Sequence, residues 1–333
     1  MLMTQLKVKI PSIKIILYLL TGLSIVAFTS PSLAKQLSFN KTLLGEEYLF
    51  EYEWLDKSRT LQTLSFKLPV STVNNQFRHF KALRFDLMRM HAIKKLKSKV
   101  AQIDPKLGRV IIKPQKNGVE FAYRSYDQQW ILNQEQEMNA LYENALKEYI
   151  QQEYYTEFEG FETIKNKTIY KPDHQRFILE SIPLLTPVAE AISQSVTNTS
   201  VHIVAEFVLS WIQTIPYSSI DSRSETNGAG YLPPNRLLAN NIGDCDSKVS
   251  LMAAIMKSFY PKLEVAIVFV PNHALLALHL AHVELDYRIR VGDYEYTLTE
   301  PVGPALIEFT KVSEQSKRFI ESGYYVVEPI SNN

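Results

Sequence analysis

The sequence predicts an α+β fold. Short runs such as 61–68 (LQTLSFKL) alternate apolar and polar residues, and 264–270 (EVAIVFV) is apolar and β-branched; both have strand character. Longer stretches, 134–157 and 201–212, repeat apolar residues at helical spacing. A tight turn, Lys116-Asn117-Gly118, separates two further strand-like runs. At 333 residues and 46% apolar side chains, the chain can bury one large core or two ordinary ones.

The N-terminus reads as an export signal. Lys7, Lys9 and Lys14 precede an uncharged apolar run from Ile15 to Phe28, and Ser32-Leu33-Ala34 places small residues where a signal peptidase reads. That run is shorter than the roughly 20 residues a membrane span needs. The expectation is cleavage after Ala34, with an uncleaved N-terminal anchor as the alternative. Residues 1–34 hold three lysines and no acids, so removing them takes the net charge from +1 to −2. Neither balance suits a nucleic-acid binder. The predicted location is exported and periplasmic, touching membrane only through an uncleaved signal.

Along the mature chain, 46–55 (EEYLFEYEWL) and 61–68 read as partner strands. Residues 76–100 read as a basic amphipathic helix containing His79, His91 and a Lys-rich run at 94–99, best taken as a solvated face. Arg109–Lys113 and Val119–Tyr123 form the hairpin, and Met138, Leu141, Tyr142, Ala145, Tyr149 and Ile150 mark the helix over 134–157. Pro172, Pro183 and Pro187 make 160–197 read as a linker with one or two helices. Val201, Val204, Ala205, Val208, Trp211 and Ile212 then form a helical stripe ending before Pro216, followed by a polar loop from Ser218 to Gly230.

One cysteine, Cys245, occurs in the whole chain, so an internal disulfide is impossible. A lone thiol in an oxidising compartment is either a buried inert residue or a nucleophile. Its neighbourhood decides. Val249, Met252, Ala253, Met256 and Phe259 follow at helical spacing, which puts Cys245 in the first turn of a helix. Unpaired N–H groups and the positive end of the dipole lie there; they favour a thiolate and can hold an oxyanion. Gly243 allows the tight approach. Asp244 and Asp246 oppose a thiolate by charge, and Asp244 is expected to cap the helix. His273 opens the apolar strand 274–280 (ALLALHL), directly after strand 264–270, and Glu300 ends the aromatic strand 294–298 (YEYTL). A base for the thiol and an acid to orient that base complete the chemistry of a nucleophilic site.

In this order, "WIQTIPY", "YLPPNRLL", "GDCDSKVSLMAAIMKSF", "NHALLAL" and "YEYTLTEPVG" resemble the core of the transglutaminase-like superfamily over residues 204–305, about a third of the chain. The resemblance implies a papain-like core, a helix bearing the cysteine packed on an antiparallel sheet, preceded by a smaller α+β module. Together with the export signal and the proline-bearing segment, it divides the chain into 1–34 signal peptide, 35–165 N-terminal module, 166–198 linker or helical connection, and 199–330 catalytic domain. It also implies a catalytic set of Cys245, His273 and Glu300. Glutamate replaces the aspartate often found there, and the long "HLAHVELDYRIRVGD" segment reads as an extended hairpin with Asp293 and Glu295 as rivals for the acid. Asn240, Asn241 and Tyr217 are candidates for an oxyanion side chain.

The resulting expectation is an exported thiol acyl-transfer enzyme acting hydrolytically on peptide or carboxamide bonds. Its partner is a protein or peptide substrate, such as a peptidoglycan peptide, with no nucleic acid and no cofactor. The alternative is a non-catalytic binding or assembly module of the same fold. A third reading leaves Cys245 a buried core thiol. A metal site from His273, His279 and His282 is disfavoured: His282 differs in strand parity, and no CxxC or HExxH pattern accompanies them.

Overall fold

The computed structural model describes residues 35–115, 118–158, 169–219, 228–281, 283, 286–303 and 305–331. The expected signal peptide, the turn residues Lys116 and Asn117, the centre of the 218–230 loop and His282 lie outside the described residues. The fold is mixed α+β, with eight helices and antiparallel sheets among the described residues. Ser32–Asn333 form one compact unit. No helix among the described residues is long and apolar enough to cross a membrane.

Strands β1 (Lys35–Leu44), β2 (Glu47–Leu55) and β3 (Leu61–Pro69) form an antiparallel meander. Alternation in β2 and β3 buries Phe50, Tyr52, Trp54, Leu64, Phe66 and Leu68 on one face. Helix α1 (Val70–Asn75) follows, then α2 (Phe85–Val100). The expected helix at 76–100 therefore starts nine residues later. Phe77 takes a positive φ of 55°, and Phe77 and Phe80 insert into an aromatic cluster with Tyr155, Phe177 and Tyr231. Strands β4 (Arg109–Gln115) and β5 (Gly118–Arg124) pair as the expected hairpin. Helix α3 runs over Gln128–Gln152 rather than 134–157. Asp127 starts it early by accepting from the N–H groups of Gln129 and Trp130. Tyr154, at a φ of 64°, ends it, and β6 (Tyr155–Phe158) then pairs with β7 (Ile169–Pro172). The basic face of α2 is partly neutralised by α3, through Lys95 with Glu148 and Lys99 with Glu137.

The proline-bearing segment forms one continuous helix, α4 (His174–Ser195), with Pro183 and Pro187 inside it. Each interior proline disfavours a helix by about 3 kcal/mol. Burial of Phe177, Ile178, Leu184, Leu185, Val188, Ala189 and Ile192 along one side outweighs that cost. Helices α5 (Val201–Thr214), α6 (Pro234–Asn240) and α7 (Cys245–Phe259) complete the helical layer. A second sheet has the order β10–β11–β9–β8–β12, from β8 (Val265–Val270), β9 (His273–Leu278), β10 (Arg288–Val291), β11 (Tyr294–Thr299) and β12 (Val326–Ile330). Helix α8 (Glu314–Glu321) precedes β12.

The strand period divides this sheet between two cores. Val265 and Ile267 of β8, with Ala274, Leu276 and Leu278 of β9, join the large core that includes α4, α5 and α7. Ala266, Val268, Val270, Leu275 and Ala277 face the other way, in a cluster with Ile289, Tyr296, Leu298 and Ile320. The large core also takes in β2 and β3, where Trp211 of α5 meets Tyr52 and Phe66 edge-on. Strands β2 and β3 thus share buried packing with the helix that carries Cys245.

Candidate active site

Three chain features bring the key side chains together. Asp244 caps α7, its side chain accepting from the Ser247 N–H at 3.2 Å, so Cys245 is the first helical residue. Gly243 lets the incoming chain pass closely; a Cβ there would stand 2.7 Å from Leu237 Cδ1. Val270 pairs with His273 across a two-residue turn, Pro271-Asn272. Proline presets φ at the first turn position, and Asn272 accepts the positive φ of 59° at the second. His273 therefore leaves the turn as the first residue of β9.

His273 Nδ1 lies 3.0 Å from Cys245 Sγ, and His273 Nε2 lies 2.7 Å from Glu300 Oε1. The structure thus brings Cys245, His273 and Glu300 into one row. Glu300 is 5% exposed at the end of β11. The Ser313 N–H donates to its Oε2 at 2.7 Å, and the Ser316 hydroxyl lies 3.4 Å from Oε1. Ser313 is the N-cap of α8, so the carboxylate also faces the positive end of a helix. Gln213 Nε2 donates to the backbone oxygens of Glu300 and Ile307, both at 2.9 Å. Burial alone would lower the His273 pKa. The hydrogen bonds to Cys245 and Glu300, with the charges of both, outweigh it and raise the imidazole from 6.5 to about 9.

The rivals are placed elsewhere. Asp293 sits in the β10–β11 turn, and Glu295 is exposed on β11, 3.5 Å from Arg288. The long spacing between His273 and Glu300 is occupied by β10, an added strand at the sheet edge. Asn241 closes α6 at a φ of 51°, with its side-chain amide exchanging hydrogen bonds with that of Gln36. Asn240 is exposed at the end of α6. Tyr217, half exposed, lines both cavities that include Cys245. His279 Nδ1 lies 2.9 Å from the Glu295 backbone oxygen, apart from the row.

A cleft of about 420 Å³ opens beside the row, lined by Val302, Ala305, Ile307 and Phe319 as well as the three polar residues. A smaller lobe of about 280 Å³ shares Tyr217, Cys245, Asn272 and His273 with it and is further lined by Phe158, Phe269, Asp244 and Asp246. Together the lobes make a groove passing the thiol.

The charge problem posed by the two aspartates has a local solution. His174 Nε2 lies 2.9 Å from Asp246 Oδ2, and Lys171 Nζ lies 3.1 Å from His174 Nδ1 and 2.6 Å from Glu328. An ammonium can only donate, so Nδ1 accepts and Nε2–H points at Asp246. Burial raises the Asp246 carboxyl, and burial together with Asp246 pushes Asp244 up to about 9. At neutral pH the pair retains a proton, which reduces the negative charge facing Cys245.

Lys248, His174, Gln213, Ser313 and Ser316 escaped sequence reasoning. Of these, only Ser313-x-x-Ser316 before an amphipathic segment carried a local signal, that of a helix N-cap. No protein-family profile, curated protein or solved structure matches the chain.

Proposed function

We propose that this protein is a thiol acyl-transfer enzyme of the transglutaminase-like kind, with a papain-like core and a Cys245–His273–Glu300 triad. The observation that carries the reading is the continuous row from Sγ to imidazole to buried carboxylate, at a groove. Neither a binding module nor a structural core thiol requires all three groups in hydrogen-bonding order.

An imidazolium 3.0 Å from sulfur favours the thiolate. The thiolate attacks an amide carbonyl carbon, forming a C–S bond and a tetrahedral oxyanion. The Cys245 N–H, at a helix position that leaves such groups without an intrahelical partner, is placed to receive it. Collapse breaks the C–N bond, and His273 delivers its proton to the departing amine. Water, deprotonated by the now neutral His273, attacks the thioester and expels the thiolate. Glu300 keeps Nδ1 directed at the sulfur throughout. Hydrolysis makes the protein a peptidase or amidase; an amine in place of water would make it a crosslinking enzyme.

Export, inferred from residues 1–34, points to protein or peptidoglycan peptides of the cell envelope as substrates. The test is incubation with a peptide carboxamide library, scoring new amines and released ammonia by mass spectrometry. Turnover by the wild type and none by Cys245→Ala is the expected result. A reactive Cys245 that turns over no amide, ester or thioester would sink the enzymatic reading and leave the binding module.

A further inference from the structure

Lys248 is fully buried, one turn after Cys245 on the same helix face. Lysine is almost never fully buried unless it is paired. Among the described residues no carboxylate oxygen forms an ion pair with its Nζ; the partner is the backbone oxygen of Ile215. Ile215 closes α5, so the ammonium sits at the negative end of that helix. The chain that follows Ile215 is stitched to the approach of α7. Gly243 N–H donates to Pro216 O and Ser218 N–H to Gly243 O, both at 3.2 Å, with Tyr217 bridged to Gly243 between them. Tyr217 borders both lobes of the groove.

The acidic groups that act on this ammonium are Cys245 and Asp244, both opposing the effect of burial, which lowers Lys248 to about 8.

We propose that Lys248 is a positioning residue of the thiol site: its buried ammonium fixes the 215–218 segment at the groove and supplies, besides His273, a second positive charge to a Cys245 thiolate. The proposal rests on the acyl-transfer reading above. Its test needs no substrate, because Cys245 is the sole thiol and any alkylation reports on it.

Iodoacetamide labelling is followed from about pH 5 to 10 in the folded wild type and in Lys248→Met, whose length and shape are similar but which carries no charge. At about pH 6 the variant is expected to label roughly tenfold more slowly, and at about pH 9.5 at the wild-type rate, the signature of a one-unit shift. Identical pH–rate curves overturn the role of Lys248. Should Lys248→Met lose its cooperative melt, ¹³Cε titration of Lys248 in the wild type and in Cys245→Ser replaces it. Coupling is reciprocal, so removing the thiolate must lower the Lys248 pKa, and unchanged titration overturns the proposal. A wild type that labels only above about pH 8.5, as a free thiol does, removes the acyl-transfer reading itself. A wild type reactive at about pH 6 with an indistinguishable Lys248→Met removes only the role of Lys248.

Discussion

The backbone N–H of Ser313 donates to Glu300 Oε2 at 2.7 Å, while the other carboxylate oxygen faces His273. One carboxylate thus joins the end of β11 to the start of α8 and orients the imidazole. Glu300→Gln preserves the size of the side chain and can preserve the Ser313 bond through its amide oxygen. It removes the charge that helps to raise His273. The variant is expected to keep its fold and lose roughly a hundredfold or more in kcat/KM, as when a triad acid is neutralised. The alkaline limb of its pH–rate profile should move down from about 9. Wild-type activity in this variant would mean that Glu300 does not orient the base.

The raised His273 pKa also links to folding. A histidine with a folded pKa above its unfolded value adds stability in full below about 6.5, and that contribution is lost as pH rises through about 9. Its side chain is 20% exposed, so screening is limited, and the contribution is on the order of 3 kcal/mol at most. Urea titrations of wild type and His273→Ala are expected to differ most at about pH 6 and to converge above about pH 9. A difference independent of pH would mean that the imidazolium is not the source.

Much of this site was legible because its signals are local. Cys245 was placed in a first helical turn by the spacing of Val249, Met252 and Met256, and Pro271-Asn272 marked the turn that releases His273. What escaped depends on distant packing. Pro183 and Pro187 read as breaks, yet the apolar face of α4 keeps the helix intact within the large core. Strand β12 pairs with β8 from the far end of the chain, and such a pairing leaves no trace in local periodicity. His174 meets Asp246 across 72 residues, so neither position announces the pair.

Gln213 is the next point of sensitivity. It is 2% exposed and donates to the backbone oxygens of both Glu300 and Ile307. Gln213→Leu leaves both acceptors without that donor, and each unmet buried partner costs about 1–3 kcal/mol. The variant is expected to unfold at lower urea with an unchanged m-value and to show a reduced kcat. A loss of stability with full activity would separate Gln213 from the placement of Glu300.

Gly243 is constrained by space. A methyl group there would press on Leu237 at 2.7 Å and approach Lys248 Cγ at 3.4 Å. Leu237 is buried in the large core, so relief requires α6 to shift. Gly243→Ala is expected to cost about 1–3 kcal/mol, the usual range for overpacking. Thermal unfolding measures it, and an unchanged midpoint would mean that α6 yields freely.

His174 supplies the acid-side counterpart of His273. Burial first, then the neighbouring Lys171, lowers its pKa from 6.5 to about 3. Between those values the unfolded chain binds a proton that the folded chain refuses. The His174 contribution to stability therefore falls as pH drops below about 6.5, with a slope approaching about 1.4 kcal/mol per pH unit, the limit for one proton, while the raised carboxyls of Asp244 and Asp246 act in the opposite sense. His174→Gln removes the titration while its amide can still donate to Asp246. The variant is expected to be less stable than wild type at pH 7, because the contacts with Tyr231 and Phe269 are lost. Its stability should nevertheless gain on that of the wild type as pH falls from about 6.5 to 4.5. Parallel curves for the two proteins would mean that His174 does not give up a proton on folding and is charged inside the fold.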